Sequence, residues 1–497
     1  MHAELRSKPL TARHVRSAGS PLLLLAAAGA GVVASVASMQ PRLAFAAAAA
    51  VTILIAVVVW SDFATPLVIA VVYSNAAVIA VTLHGVPYIL GAAVLLLLVV
   101  PLINILVRGG SVLIMPAFPL MLLLLAAMIV SALLSVEPSV AWSKTQTFAM
   151  EGVILYFLVT NVVRTRAMVR TTIWVLLIVA ALLGALSFYQ QVTHSFGNDF
   201  FGFAQPSQAA FASGTDALGQ ATFQPRLGGV LGSNNYFAQI MLMIIPLGFF
   251  RFWSERTMRL RVLALVCTVF VSLGVVMTFS RGAVVGFVLM IVVMAVLRYI
   301  SLRQIAAIVL GLVLLLAAFP QYRQRLATLD SVTGATASAG AAGAADNSVR
   351  SRATEGLAAA LAFADHPIIG VGPGLFTAYY YQDYAPQIGI RTHAGPRGPH
   401  DLYVGLAAET GVLGLSIFLG IVFVTLLGLA RARRAAIRGD DAEGANTVTA
   451  FMLAIVSYLT TGLFLGFAYE RYFWLILALA AAATYVVRQT SATSRTA

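Results

Sequence analysis

VLALVCTVFVSLGVVMTFSRGAVVGFVLMIVVMAVL, residues 262–297, is apolar almost throughout, and its one polar break is Ser280-Arg281-Gly282. As one continuous helix it would measure roughly 54 Å, nearly twice a hydrocarbon core of about 30 Å. It must therefore cross a bilayer, reverse at Arg281 and cross back. Residues 448–487 pose the same problem, and Tyr469-Glu470-Arg471 is where they can turn.

The rest of the chain follows this pattern. It has 497 residues, 60% hydrophobic and 10% charged, with mean hydropathy +0.92. That composition excludes a water-soluble globule. Apolar spans are expected at 21–39, 43–60, 64–83, 87–107, 113–135, 145–163, 170–189, 233–250, 262–279, 282–297, 304–319, 402–430, 448–468 and 472–487. The expected fold is an all-α polytopic integral membrane protein of about 12–14 transmembrane helices with one large outer loop. The first apolar segment lacks a convincing small-residue cleavage site and reads as a retained helix.

Placing the N-terminus in the cytoplasm puts 20 of the 31 Lys and Arg on the inner side, in short clusters such as Arg164, Arg166 and Arg170 or Arg431, Arg433 and Arg434. This is the positive-inside pattern, and it argues against the net charge of +13 serving nucleic acid. The chain then divides into a cytoplasmic tail (1–20), N-terminal membrane helices (21–189), a central membrane region (190–319) with outer loop 190–232, a large outer loop with short helices (320–401), C-terminal membrane helices (402–487) and a second cytoplasmic tail (488–497).

Within the large loop, Ser331 to Asn347 is nearly all Ala, Gly, Ser and Thr and reads as a mobile excursion. A short amphipathic helix is expected from Arg352 to Ala364, then a glycine hinge at Gly370-Val371-Gly372-Pro373-Gly374. Tyr379, Tyr380, Tyr381 and Tyr384 form either an interfacial belt or a platform for sugar rings. Cys267 is the only cysteine, so neither a disulfide framework nor a cysteine metal site is expected. His366, His393 and His400 are scattered without metal-ligand spacing.

Chemistry is expected at Pro399-His400-Asp401-Leu402-Tyr403, where the outer loop becomes a membrane helix. A lone histidine at a helix mouth is commonly just an interfacial polar residue. The positive end of the helix dipole would favour a neutral, proton-accepting ring, and Asp401 pulls the other way. Two arginines on the same side give this histidine company: Arg281 in its tight turn, and Arg226 before Ser233-Asn234-Asn235. Guanidinium forks bind phosphate oxygens bidentately and stay charged at any working pH. Either arginine could instead only anchor a turn or meet lipid headgroups. Glu151 and Glu409 are intramembrane carboxylates, functional groups or buried partners for arginines. Glu470-Arg471 reads as a structural pair or a gate.

These residues together resemble the O-antigen ligase superfamily of O-antigen ligases, O-antigen and exopolysaccharide polymerases, and protein O-oligosaccharyltransferases. The resemblance rests on His400-Asp401 followed by Gly411-Val412-Leu413-Gly414, on Arg226-Leu227-Gly228-Gly229 with Ser233-Asn234-Asn235-Tyr236, on Phe279-Ser280-Arg281-Gly282, and on His366-Pro367-Ile368-Ile369-Gly370-Val371-Gly372. It spans about residues 220–420, and Asp401 departs from the usual Asn, Ser or Gln. It implies a GT-C-like membrane glycosyltransferase in a bacterial inner membrane, its site facing the periplasm. Such an enzyme would move a glycan from an undecaprenyl-pyrophosphate donor to lipid A-core, a growing glycan or a protein, with no cofactor and no metal. His400 would be catalytic, and Arg226 and Arg281 would hold the pyrophosphate. Asp401, Glu409, Arg352 and Arg471 are possible supporting residues. A lipid-linked glycan transporter is the rival from another class; it should show ionisable groups near the bilayer midplane, for which Glu151 is the one candidate, or interrupted helices in paired halves, and no half-to-half symmetry is visible.

Overall fold

The computed structural model describes residues 60–215, 221–318, 339–388, 397–466 and 468–496, with a few positions before 60. The expected spans 21–39 and 43–60 therefore lie almost wholly outside the described residues. The helices, in chain order, are α1 (Ser61–Tyr73), α2 (Ala76–His84), α3 (Tyr88–Ala93), α4 (Val99–Val107), α5 (Phe118–Leu133), α6 (Pro138–Thr147), α7 (Leu155–Val162), α8 (Arg166–Val192), α9 (Asn234–Leu242), α10 (Ile245–Ser254), α11 (Met258–Met277), α12 (Arg281–Val296), α13 (Leu302–Ala318), α14 (Ala339–Asp365), α15 (Tyr381–Ile388), α16 (Leu402–Arg438), α17 (Ala442–Gly462) and α18 (Arg471–Thr496). The only strands among the described residues, β1 (Gln205–Thr215) and β2 (Ala221–Gly229), pair antiparallel within the loop expected at 190–232.

Six of these helical segments are long and apolar enough to cross a membrane, or seven if the bent pair α1–α2 is one span. Both expected reversals occur: α11 ends at Met277 and α12 begins at Arg281, while α17 ends at Gly462 and α18 begins at Arg471. α18 is the central pillar. Phe473, Trp474, Leu475, Ile476 and Leu477 are all at most 1% exposed, as befits a helix apolar on every side. Tyr458 stacks on Phe473 at 4.6 Å, and Trp474 meets Phe148 edge-on at 5.0 Å. Where α8 crosses α11, a Cβ on Gly184 would lie 2.1 Å from the Phe270 carbonyl oxygen. Small residues let membrane helices approach this closely. The outer face of α11 leaves Leu263, Leu265, Val266 and Val269 exposed, a surface suited to lipid.

Four expectations need correction. The span at 64–83 is broken, with α1 and α2 meeting at 55° through Asn75, a left-handed residue at φ 62° whose side-chain amide donates to the Val230 carbonyl at 2.8 Å. The span starting at 402 is also broken, because Gly411 takes φ 67° and ψ −171°. The part of the 331–347 excursion that is described, 339–347, is helical and continues into α14, in keeping with alanine's helix propensity. Tyr381 and Tyr384 are buried rather than displayed, while Tyr379 remains exposed.

The loops sort to two ends. At one end, Arg166 pairs with Asp441, Arg170 Nε donates to Glu255 at 3.0 Å, and Arg251 bridges Glu255 at 2.9 Å and Glu443 at 3.1 Å. At the other end lie the Arg281 turn, α14, the His400 turn and the 463–470 turn.

Candidate functional site

His400 immediately precedes α16, whose start is fixed by Asp401. The Asp401 Oδ1 accepts from the Tyr403 and Val404 backbone N–H groups at 2.8 and 2.9 Å, the bonds of an N-cap. The His400 ring is one-third exposed, and its Nδ1 lies 2.6 Å from Glu355 Oε2, a carboxylate only 1% exposed.

Glu355 comes from α14, one helical turn after Arg352, so both occupy the same face. Burial, and then the nearby Arg281 guanidinium, push the Arg352 pKa below its ordinary value, against the opposing pull of Glu355. Two guanidinium groups within electrostatic reach of each other, served by a carboxylate that is itself bonded to His400, leave positive charge in need of an anion. Arg281 also starts the 16-residue helix α12, whose dipole adds to that demand.

Three further ties close the constellation. A Cβ on Gly282 would lie 3.4 Å from the Phe464 side chain, and a Cβ on Gly466 would lie 2.4 Å from the Pro399 carbonyl oxygen. The 463–470 turn therefore sits between the Arg281 turn and the His400 turn. Arg226, on β2, lies opposite Ser207. The Ser207 hydroxyl donates to Asn234 Oδ1 at 3.2 Å, and the Asn234 amide donates to the Thr278 carbonyl at 3.3 Å. This bridge ties the Arg226 strand to the turn that carries Arg281. Tyr236, on α9, is within electrostatic reach of both Glu355 and Glu470.

The remaining candidates lie elsewhere. Among the described residues Glu409 forms no ion pair with an arginine: it is buried and accepts from Tyr469 Oη at 2.8 Å and from the Gly374 N–H. Arg471 pairs with Glu151, Nη2 to Oε1 at 3.0 Å, beside a cavity of about 170 Å³ lined by Val72, Ala77, Val81, Gly91, Met150 and Leu155 among others. Three backbone irregularities meet around it: the α1–α2 break, the 3₁₀ turn Val94–Leu98 and the π-helical Phe148–Ile154. Irregular backbone at membrane depth belongs where it lines a cavity.

The break at Gly411 is filled by the glycine segment 366–374. Val371 and Gly372 N–H donate to the Ala408 and Glu409 carbonyls at 2.9 and 3.0 Å, and Val412 and Leu413 N–H donate to the Pro367 and Ile368 carbonyls at 2.8 and 3.2 Å. Ser131 Oγ also donates to the Ile369 carbonyl at 2.8 Å. The C-terminal end of residues 402–410, the segment that His400 precedes, is thereby tied to the glycine segment through Ala408 and Glu409.

Residues 264–419 match the family model for O-antigen ligase. The matched segment runs from α11 through the Arg281 turn, α14 and His400 into α16, and it supports the O-antigen ligase superfamily for this chain. No curated protein matches the chain. Arg281, Arg352, Glu355 and His400 all fall inside the O-antigen ligase match, whereas Arg226 and Arg471 fall outside it. Glu355 escaped the sequence reading. Its only signal was the three-residue spacing from Arg352 on an amphipathic helix.

Proposed function

We propose that this membrane enzyme of the O-antigen ligase family transfers a glycan from a polyprenyl-pyrophosphate donor to an acceptor hydroxyl at the outer face of a bacterial inner membrane, with lipid A-core as the acceptor. The pyrophosphate sits against Arg226 and Arg281, with Arg352 beside them. The acceptor hydroxyl approaches His400, loses its proton to the ring and attacks the anomeric carbon as the pyrophosphate leaves, in one inverting step. Fixed guanidinium groups stabilise the charge developing on the leaving group, which removes the need for a divalent ion. The polyprenyl chain lies in the apolar cavity beside Glu151 and Arg471, with its phosphate end toward the 463–470 turn.

The observation that supports this reading is the run His400, Glu355, Arg352, Arg281 at one end of the bundle, drawn from three separate elements. Its test is reconstitution in proteoliposomes with a lipid-linked glycan donor and detergent-dispersed lipid A-core. Transfer should release free polyprenyl pyrophosphate, and His400→Ala and Arg281→Ala should each abolish it while inserting normally. Near-normal turnover by either variant removes that residue's role. Movement of intact donor across the bilayer without consumption would make the protein a transporter, and donor glycans that lengthen would make it a polymerase.

A further inference from the structure

We infer that Glu355 is the positioning residue for His400, holding the imidazole in the tautomer that leaves Nε2 as the proton acceptor. This rests on the transfer reading above and extends it to a residue outside the sequence motifs. A carboxylate has no proton to give, so at 2.6 Å the bond to an ionised Glu355 requires the hydrogen to be on His400 Nδ1. Nε2 then carries the free lone pair. The buried position of Glu355, 1% exposed against 33% for the histidine side chain, sets the direction of the arrangement. The carboxylate is at the back and the ring is between it and the open side, where an acceptor hydroxyl can arrive.

The acceptor O–H gives its proton to Nε2, its oxygen forms the bond to the anomeric carbon, and the carbon–oxygen bond to pyrophosphate breaks with both electrons leaving on the phosphate oxygen. The ring becomes imidazolium, and Glu355 faces it through Nδ1–H as a counter-charge placed before the reaction begins. The Nε2 proton is later lost to solvent at the exposed edge. Arg352, one turn earlier on the same helix, points the division of labour: α14 brings a cation toward the leaving group and an anion toward the base. A neutral amide in place of Glu355 can donate to Nδ1, which moves the ring hydrogen to Nε2 and blocks proton acceptance.

The experiment compares wild type, E355Q and E355D, each purified in detergent with ¹⁵N-labelled histidine, the His400 signals being identified by their loss in His400→Ala. At alkaline pH, where an ordinary imidazole is neutral, wild type should show Nδ1 protonated and E355Q should show Nε2 protonated. In the transfer assay E355Q should lose at least about a hundredfold in kcat, by analogy with amide replacement of buried triad carboxylates, with donor KM changed less than threefold. E355D, one methylene shorter, should keep the wild-type tautomer and lose about tenfold in kcat. An unchanged tautomer in E355Q, or kcat within threefold of wild type, overturns the assignment. If E355Q does not reach the membrane, wild-type kcat in E355D does the same, because the carboxylate can no longer sit at the same distance. Should the wild-type protein consume no donor, the transfer reading falls and the tautomer comparison still decides Glu355.

Discussion

Gly411→Ala should separate the placing of His400 from the stability of the bundle. At φ 67° and ψ −171° Gly411 occupies a region that is essentially glycine-only, and an alanine there costs on the order of 1–3 kcal/mol. Its Cβ would also lie 2.2 Å from the Ile368 carbonyl carbon and oxygen, so the threaded segment must move. The two adjoining bonds, Val412 N–H to Pro367 and Leu413 N–H to Ile368, are each worth about 0.5–1.5 kcal/mol net. The total is roughly 2–6 kcal/mol. Over a chain this long, with about 2 cal/mol/K per residue of unfolding entropy, this lowers the melting midpoint by only a few degrees. Activity responds more steeply, because displacing His400 by about 1 Å costs on the order of a hundredfold in rate. The assay is donor consumption in proteoliposomes beside a thermal melt, with Gly420→Ala as control. Gly420 is on the same helix, and a Cβ there would meet only Leu120 at 3.7 Å. Transfer by Gly411→Ala within twofold of the control would refute the claim that the break positions the histidine.

Two predictions concern the donor. Arg226→Lys should lose more activity than a charge-only model allows, about tenfold or more in kcat/KM, because a point charge replaces a bidentate group; equal turnover would argue against bidentate binding. Ala77→Leu, which fills the cavity beside Arg471, should raise KM several-fold for a long polyprenyl donor and leave a short, soluble isoprenyl donor unaffected. The same KM change for both donors would remove the chain from that cavity.

Much of this was legible in the sequence because hydrocarbon thickness is a rigid ruler. An apolar run of 36 residues has to turn, and Arg281 was the only polar place to do so; the same logic found the turn before Arg471. An arginine partner is one of two readings that the sequence leaves open for both Glu151 and Glu409; Glu151 takes it, but from Arg471, which the sequence sets beside Glu470 as a structural pair or a gate, while Glu409 accepts from Tyr469. What stayed hidden were features that do not alter hydropathy. The breaks at Asn75 and Gly411 interrupt apolar runs by conformation alone. The β1–β2 pair is rich in Gln, Ser, Ala, Gly and Thr and carries Pro206 and Pro225, a composition with little strand signal. Glu355 is brought to His400 from 45 positions away by a helix whose first turns are alanine and glycine, and no local pattern encodes that meeting.

The Glu151–Arg471 pair also bears on how the protein is made. The two residues are 320 positions apart, so at 5–20 residues per second the carboxylate leaves the ribosome roughly 16–64 s before its arginine exists. For that interval the carboxylate lacks the guanidinium it is paired with in the folded protein, and an unpaired charge at membrane depth is costly. A message truncated anywhere before codon 471 yields a chain that never escapes this condition. The tie between the Phe148–Ile154 segment and the start of α18 is therefore among the contacts that can form only after the matched segment 264–419 has been made.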